Sequence, residues 1–169
     1  MWPIIGVEPD IAKALYSACG YLRQTRKPGH EMPPHIFVVY DDAVEGPAVA
    51  IGEVRSSDIQ VRVAAMRKMI QQAGQQNVRL LLHAFEAWTH TTDQAVQLLR
   101  SGDATPQPGK GRYLRLDSVS LMCWRPGSVI PVAALWMIVE DTGELGDLYA
   151  ALPPGGNLTA DPAYATLWK

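Results

Sequence analysis

This sequence has few cysteines, no long apolar run and no large excess of one charge sign. Only two cysteines occur in 169 residues, Cys19 and Cys123, and they are far apart with no CxxC spacing. This excludes a disulfide framework and a cysteine-based zinc knuckle, and it favours a reducing, cytoplasmic environment. No segment approaches the roughly 20 apolar residues that a membrane-spanning helix needs, so we expect no membrane insertion.

The charge balance also disfavours some classes of binding partner. Lys and Arg number 15 against 17 Asp and Glu, which leaves a formal net charge of −2. A nucleic-acid-binding protein usually has a basic surface that attracts phosphates, so nucleic acid is disfavoured as a partner. No Gly-rich turn joins a strand to a helix, and we predict no bound cofactor. The first residues, MWPIIGVEPD, lack the basic and apolar regions of a signal peptide.

Apolar residues are plentiful, at 47% of the chain. A chain of this length and hydrophobicity fits one globular domain, which we assign to residues 1–169. Within it, residues 151–169 contain LPPGGN and end in AYATLWK. We expect this tail to be a docking arm whose Tyr164, Leu167 and Trp168 pack on the body of the protein or on a neighbouring subunit.

Two longer helices are indicated by apolar residues at helical spacing. The first runs from about Pro9 to about Arg26, where Pro28-Gly29 ends the pattern. The second follows Ser57, which we expect to cap it with Gln60 in capping-box register, and it stops at Gly74. The apolar stripes are Ile11, Leu15, Ala18 and Leu22 in the first helix, and Ile59, Val63, Met66, Ile70 and Ala73 in the second.

Strand patterns occupy most of the remaining chain. HIFVVYDD begins at His35, and residues 48–54, AVAIGEV, are its expected hairpin partner. VRLLLHAFEAW begins at Val78 and is apolar on both alternating faces, which is typical of a central strand. Two long strands between residues 113 and 141 are expected to be joined by a type II turn at Arg125-Pro126-Gly127-Ser128. TTDQAVQLLRSG, which begins at Thr91, predicts a short third helix.

These elements predict an α+β fold. We expect a mixed, mainly antiparallel sheet of four to five strands, with the two longer helices and the short helix packed on one face. The alternative is a three-layer α/β sandwich. We expect the second helix to cover the face of the central strand formed by Val78, Leu80, Leu82 and Ala84.

The stretch HAFEAWTH, residues 83–90, is the main candidate for chemistry. In a strand, Glu86 and His90 project from one face and His83 from the other. Partial desolvation of Glu86 would favour its protonated form and suit it to general acid or base work. The alternative is a structural ion pair between Glu86 and an arginine such as Arg115 or Arg125.

Other candidate sites have ordinary structural interpretations. His30 and His35 are separated by Pro33 and Pro34, which prevent the helix that would bring the two rings together on a metal. Asp41 and Asp42 could hold Mg²⁺, although acidic residues are also common in hairpin loops. We therefore predict no metal site. Cys123 is expected to pack in the core, and the loop PGKGR, residues 108–112, to be a turn.

The preferred hypothesis is a small α+β binding or interaction module that forms a homo-oligomer. Five tryptophans, two of them near the termini, favour self-association because tryptophan is enriched at interfaces. The alternative is a cofactor-independent hydrolase or lyase that uses Glu86 with His90 or His83, and Arg125 to hold a small anionic substrate. A third hypothesis is that the chain is one subunit of a larger assembly.

Overall fold

The computed structural model describes residues 7–92, 113–138, 142, 145–151 and 162–169, with side chains for 7–86, 118–134, 142, 145–146 and 162–169. Two helices and six strands lie in these ranges. In chain order they are α1 (Pro9–Thr25), β1 (His35–Asp42), β2 (Gly46–Glu53), α2 (Ile59–Ala73), β3 (Val78–Thr92), β4 (Tyr113–Trp124), β5 (Val132–Ile138) and β6 (Leu145–Ala151). Short 3₁₀ segments occupy Gln75–Asn77 and Pro162–Thr166.

The strands form one antiparallel sheet in the order β2-β1-β3-β4-β5-β6. The predicted α+β class, the antiparallel sheet and the central position of β3 are confirmed. The sequence prediction did not include β6, which pairs with β5 and forms one edge of the sheet. At the other edge, β2 and β3 flank β1 and run in the same direction, so the connection through α2 crosses over β1.

The two helices lie on opposite faces of the sheet, which corrects the expectation of a single covered face. Apolar residues of α1 share a cluster with Leu80, Leu82 and Ala84 of β3, whereas α2 shares the other cluster with Leu81. The layering is therefore that of the three-layer alternative. The face of β3 assigned to α2 in the sequence analysis is covered by α1.

A β-bulge explains one further departure in β3. Tyr40 pairs with Val78 while Val39 pairs with Leu80, so Arg79 has no partner of its own on β1. The extra residue shifts the alternation of side chains at this point. Val78 consequently belongs to the α2 cluster although Leu80, two residues later, belongs to the α1 cluster.

The boundaries of α2 depend on two residues. Asp58, and not Ser57, is the N-cap, because its Oδ1 accepts a hydrogen bond from the Gln60 backbone N–H at 2.8 Å. Asp58 stands directly before the first helical residue, which is the position that a capping side chain must occupy. Gly74 ends the helix with φ of +84°, as its position in the sequence predicted.

The predicted short third helix is corrected at its start. Thr91 and Thr92 are the last residues of β3, where they pair with Leu114 and Tyr113 of β4. Pairing along this long hairpin outweighs the local capping signal of Thr91. The rest of that prediction falls at residues 93–102, outside the described part of the chain.

The C-terminal segment packs on the same chain, beside α2. Tyr164 and Leu167 are buried in the α2 cluster, and the rings of Tyr164 and Trp124 are 4.9 Å apart. The Trp168 indole N–H donates a hydrogen bond to the Ser128 carbonyl oxygen at 2.8 Å. These aromatic side chains are thus engaged within one chain. Neither described helix has the combination of length and hydropathy that crossing a membrane requires.

Candidate functional site

Glu86 forms an ion pair with Arg26, which follows the last residue of α1. Arg26 Nε lies 2.8 Å from Glu86 Oε1, and the two side chains are 6% and 19% exposed. Arg125, one of the partners anticipated from the sequence, lies elsewhere. Glu86 is level with Val119 on β4, six residues before Arg125, and six strand residues span about 20 Å.

A polar cleft adjoins Glu86 where β1 begins. Its volume is about 440 Å³, and its walls include Glu86, Phe85 and Arg62 together with Ser56 and Ser57. Arg62 lies over the Phe85 ring, and its Nε donates to the Ser56 carbonyl oxygen at 2.8 Å. Glu86 therefore faces an open space, but its carboxylate is already held by a cation.

His83 is buried on the opposite face of β3, the face covered by α2. It is 0% exposed, and neither ring nitrogen has a hydrogen-bond partner among the described residues. Its ring packs against Phe85 at a centroid distance of 4.9 Å. Burial lowers the pKa of His83 to about 3, and the charge of Arg62 acts in the same direction. A neutral imidazole in a sealed environment has no access to substrate.

Arg125 lies at the end of β4 beside the start of α1. Its guanidinium donates to both carboxylate oxygens of Asp10 at 2.9 Å and also pairs with Glu8. The hydrogen bond from Arg125 lowers the pKa of Asp10. Arg125 therefore has two carboxylates as partners and contributes to anchoring the first turn of α1.

The structure does not bring together Glu86, His83 and Arg125, the proposed catalytic residues whose side chains it describes. Glu86 and His83 lie on opposite faces of β3, and Arg125 is at the far end of β4. His90 pairs with Arg115 in the backbone register, and its side chain falls outside the described residues. Of the four residues, Glu86 alone is described beside an open cleft.

The other histidines and carboxylates considered as metal ligands each have different neighbours. His30 is exposed, whereas His35 is buried, with Nδ1 2.7 Å from the Pro33 carbonyl oxygen. Asp41 pairs with Arg79, and Asp42 accepts hydrogen bonds from the backbone of its own hairpin loop. In the described ranges, no three such side chains are grouped as metal ligands would be.

Both cysteines are core residues. Cys19 on α1 and Cys123 on β4 are buried in the α1 cluster. Burial raises the pKa of each thiol to about 12. A protonated, enclosed thiol is a poor nucleophile.

An apolar opening lies between α1 and the β1–β2 edge of the sheet, and we call it the α1–β2 groove. Its volume is about 490 Å³. Its apolar walls are Ala14, Ala18 and Tyr21 of α1, Phe37 and Val39 of β1, Val49 and Ile51 of β2, and Leu80 and Leu82 of β3. Asp10, Lys13 and Arg79 lie around one end.

The groove exists because α1 covers only part of its face of the sheet. The cluster formed with α1 includes residues of β3, β4 and β5 and Phe37 of β1, but no described residue of β2, so α1 leaves β2 uncovered. Ala14, Ser17 and Ala18 line the side of α1 that faces the hairpin, and their small side chains leave space above Val39. At the far end, the Tyr21 and Phe37 rings meet edge to face, 5.7 Å apart.

The outer edge of β2 borders this groove. Val49 and Ile51 are 53% and 43% exposed, and no described strand pairs with the outer side of β2. On the other face, α2 approaches closely: a Cβ on Gly52 would lie 2.8 Å from the Met69 sulfur. The sheet is thus covered by α2 on one face of β2 and open on the other.

The groove and the roles of Lys13 and Arg26 were not predicted from the sequence. One signal was present: in residues 46–53, GPAVAIGE, larger apolar residues alternate with small ones. Such alternation indicates a strand with two different faces, of which the larger one needs a cover. No pattern in the first helix shows that it leaves this face open.

Comparison with known proteins gives no relative: no family model, no curated protein and no solved structure is significantly similar to this chain.

Proposed function

We propose that this protein is a binding module that self-associates, and that two copies join through the outer edges of their β2 strands. The observation that carries the proposal is the apolar character of that edge. Val49 and Ile51 are large and exposed, and the only charged residue of β2 is Glu53 at its end. Edge strands usually carry charges or bulges that prevent pairing, and the centre of β2 has neither.

The backbone of β2 supports this mode of contact. Val54 N–H donates to the Pro34 carbonyl oxygen, so residue 54 directs its polar groups toward β1. Along an antiparallel strand, the backbone N–H and C=O groups of successive residues point alternately to the two sides. Val49 and Ile51 therefore direct their backbone groups outward, away from β1. Pro47 also directs its backbone outward. Because proline has no N–H, it is tolerated in a strand only where no ladder hydrogen bond is lost, as at an outward position of an edge strand.

An antiparallel pair of β2 strands is symmetric by construction. With the twofold axis at Ala50, Val49 of one copy lies opposite Ile51 of the other, and this contact occurs twice. Glu53 then lies opposite Pro47, so the two glutamates are at opposite ends and do not repel each other. This register allows up to about six backbone hydrogen bonds, and each apolar cross-strand pair adds about 0.2–1 kcal/mol.

Binding is proposed in place of catalysis because Glu86, His83 and Arg125 of the enzymatic alternative lie apart. Glu86 is paired with Arg26, and His83 is sealed on the other face of the sheet. The terminal aromatic residues first expected at the oligomer contact are also engaged elsewhere, since Tyr164 and Trp168 pack within the chain. Among the described residues, the β2 edge supports self-association because its large apolar side chains are exposed and no described strand pairs with its outer side.

Sedimentation equilibrium of the wild type, Val49→Lys and Val61→Lys tests the proposal. Val61 is the matched control because it is 48% exposed on α2, away from the β2 edge. A strand-edge contact is small, so we expect a reversible dimer that dissociates in about the micromolar range. Val49→Lys should be monomeric, and Val61→Lys should dimerise like the wild type. Circular dichroism checks that each variant is folded.

Two results would overturn the proposal. A wild type that stays monomeric up to about 1 mM excludes self-association of useful affinity. A folded Val49→Lys that dimerises as strongly as the wild type excludes the β2 edge as the contact.

A further inference from the structure

We propose that the α1–β2 groove binds one small molecule with an apolar body and an anionic end, such as an aliphatic carboxylate. The groove is formed within a single chain, so the site does not depend on self-association. Its volume of about 490 Å³ falls within the range of about 300–1,000 Å³ that is typical of small-molecule sites. Like those sites, it combines many apolar walls with a few polar groups.

The apolar body of the ligand is defined by the walls of the groove. Val39 and Val49 lie side by side in the sheet register and form the floor, and Ala14 and Ala18 lie along the helix above them. At the far end, Tyr21 joins the helix to Phe37 on the sheet and closes the groove. A closed end suits a molecule of finite length better than a peptide that passes through.

The length of the ligand follows from the helix. Lys13 and Tyr21 mark the two ends of the groove on α1 and are eight residues apart. Eight helical residues span about 12 Å. An unbranched carboxylate with an eight-carbon chain, octanoate, has a comparable extended length.

The anionic end is assigned to Lys13. Among the charged residues around that end, Asp10 is held by Arg125, and Arg79 is held by Asp41. Lys13 is exposed and forms no ion pair with a described residue. The carboxylates near the groove thus already have cationic partners, while one ammonium group is left for a ligand. The rim therefore favours an anion over a cation.

Isothermal titration calorimetry of the 169-residue chain with octanoate, 1-octanol and octyltrimethylammonium tests both the apolar and the anionic part of the proposal. We expect saturable one-to-one binding of octanoate, weaker binding of 1-octanol and the weakest binding of the cation. Lys13→Glu should weaken octanoate binding about five-fold and leave 1-octanol unchanged. Its matched control is Lys68→Glu, an exposed lysine on α2.

A second variant tests the position of the apolar body. Ala14→Phe places a ring in the groove and should abolish binding of all three probes, whereas Ala64→Phe, at an exposed position on α2, should not. Absence of saturable octanoate binding to the wild type, or unchanged binding in Ala14→Phe, would overturn the site. Equal affinities for octanoate and 1-octanol would overturn its anionic preference. None of these variants lies on β2, so failure of the site and failure of dimerisation are distinguishable.

Discussion

Arg26 and Glu86 join the C-terminal end of α1 to the central strand through an ion pair with an Nε–Oε1 distance of 2.8 Å. The two residues are 60 positions apart in sequence, and both side chains are mostly buried, although Glu86 also borders the polar cleft. An enclosed pair holds a helix at a defined position, because separating the partners leaves a charge in a poorly solvated place. Glu86, the candidate catalytic base, thus has a structural partner in Arg26.

Removal of one partner of this pair should destabilise the protein substantially. We expect Arg26→Leu to lower the free energy of unfolding by about 2–4 kcal/mol, because the Glu86 carboxylate loses its cation. Arg26→Leu/Glu86→Leu should recover part of that loss. Urea unfolding measures both effects.

The matched control is the pair of Arg79 and Asp41, in which the Arg79 side chain is 69% exposed. An exposed pair of this kind is expected to contribute less than about 1 kcal/mol, so Arg79→Leu should have a small effect. Equal losses from Arg26→Leu and Arg79→Leu would show that the Arg26–Glu86 pair is as solvated as a surface pair.

His83 should make the fold sensitive to acid. Its pKa is about 3 in the folded chain, below the ordinary value of 6.5. The unfolded chain therefore binds the proton more readily, and stability that is present above pH 6.5 is lost as the pH falls toward 3. One such group changes the free energy of unfolding by at most about 1.4 kcal/mol per pH unit.

His83→Leu should reduce this pH dependence. We expect the variant to lose less stability than the wild type between about pH 7.5 and pH 5, as measured by urea unfolding at each pH. His30→Leu, at an exposed histidine, is the control and should behave like the wild type. If His83→Leu and the wild type lose the same stability, His83 is not buried in its neutral form.

The two thiols should be unreactive in the folded protein. Cys19 and Cys123 are buried with their pKa raised to about 12, so neither presents a thiolate at neutral pH. Ellman's reagent should therefore react with both only after urea is added. Rapid reaction of one thiol in the native protein would contradict the placement of that cysteine in the core.

The C-terminal segment should contribute to stability as part of the core. Leu167 is buried in the α2 cluster, and Leu167→Ala should lower the free energy of unfolding by about 2–4 kcal/mol. Lys169→Ala, at the exposed end of the same segment, should change little. A negligible effect of Leu167→Ala in thermal or urea unfolding would indicate that the segment does not pack there in solution.

Local sequence patterns were sufficient for α1, for the C-terminal end of α2 and for β1. Helical spacing of Ile11 to Leu22 fixed the first helix to within one residue of its observed end, and the positive φ of Gly74 ended the second as expected. These features depend on neighbours in sequence, which periodicity reports directly. The hairpin at Arg125–Ser128 formed for the same reason, with Gly127 at φ of +78°.

Features that depend on residues distant in sequence could not be predicted from local sequence patterns. The bulge at Arg79 arises from pairing between β1 and β3, and it changed the face of Val78. The Arg26–Glu86 pair and the α1–β2 groove depend on where α1 lies over the sheet. An apolar stripe shows that a helix packs, but it does not show which strands receive it.

Concentration-dependent hydrogen exchange at β2 tests the proposed assembly most directly. Val49 and Ile51 direct their amides outward from β1, whereas the amides of Ala48 and Ala50 are bonded to β1 and serve as internal controls. We predict that exchange at Val49 and Ile51 slows as protein concentration rises through the dimer dissociation constant, with little change at Ala48 and Ala50. Fast exchange of the Val49 and Ile51 amides at every concentration would contradict pairing through this edge.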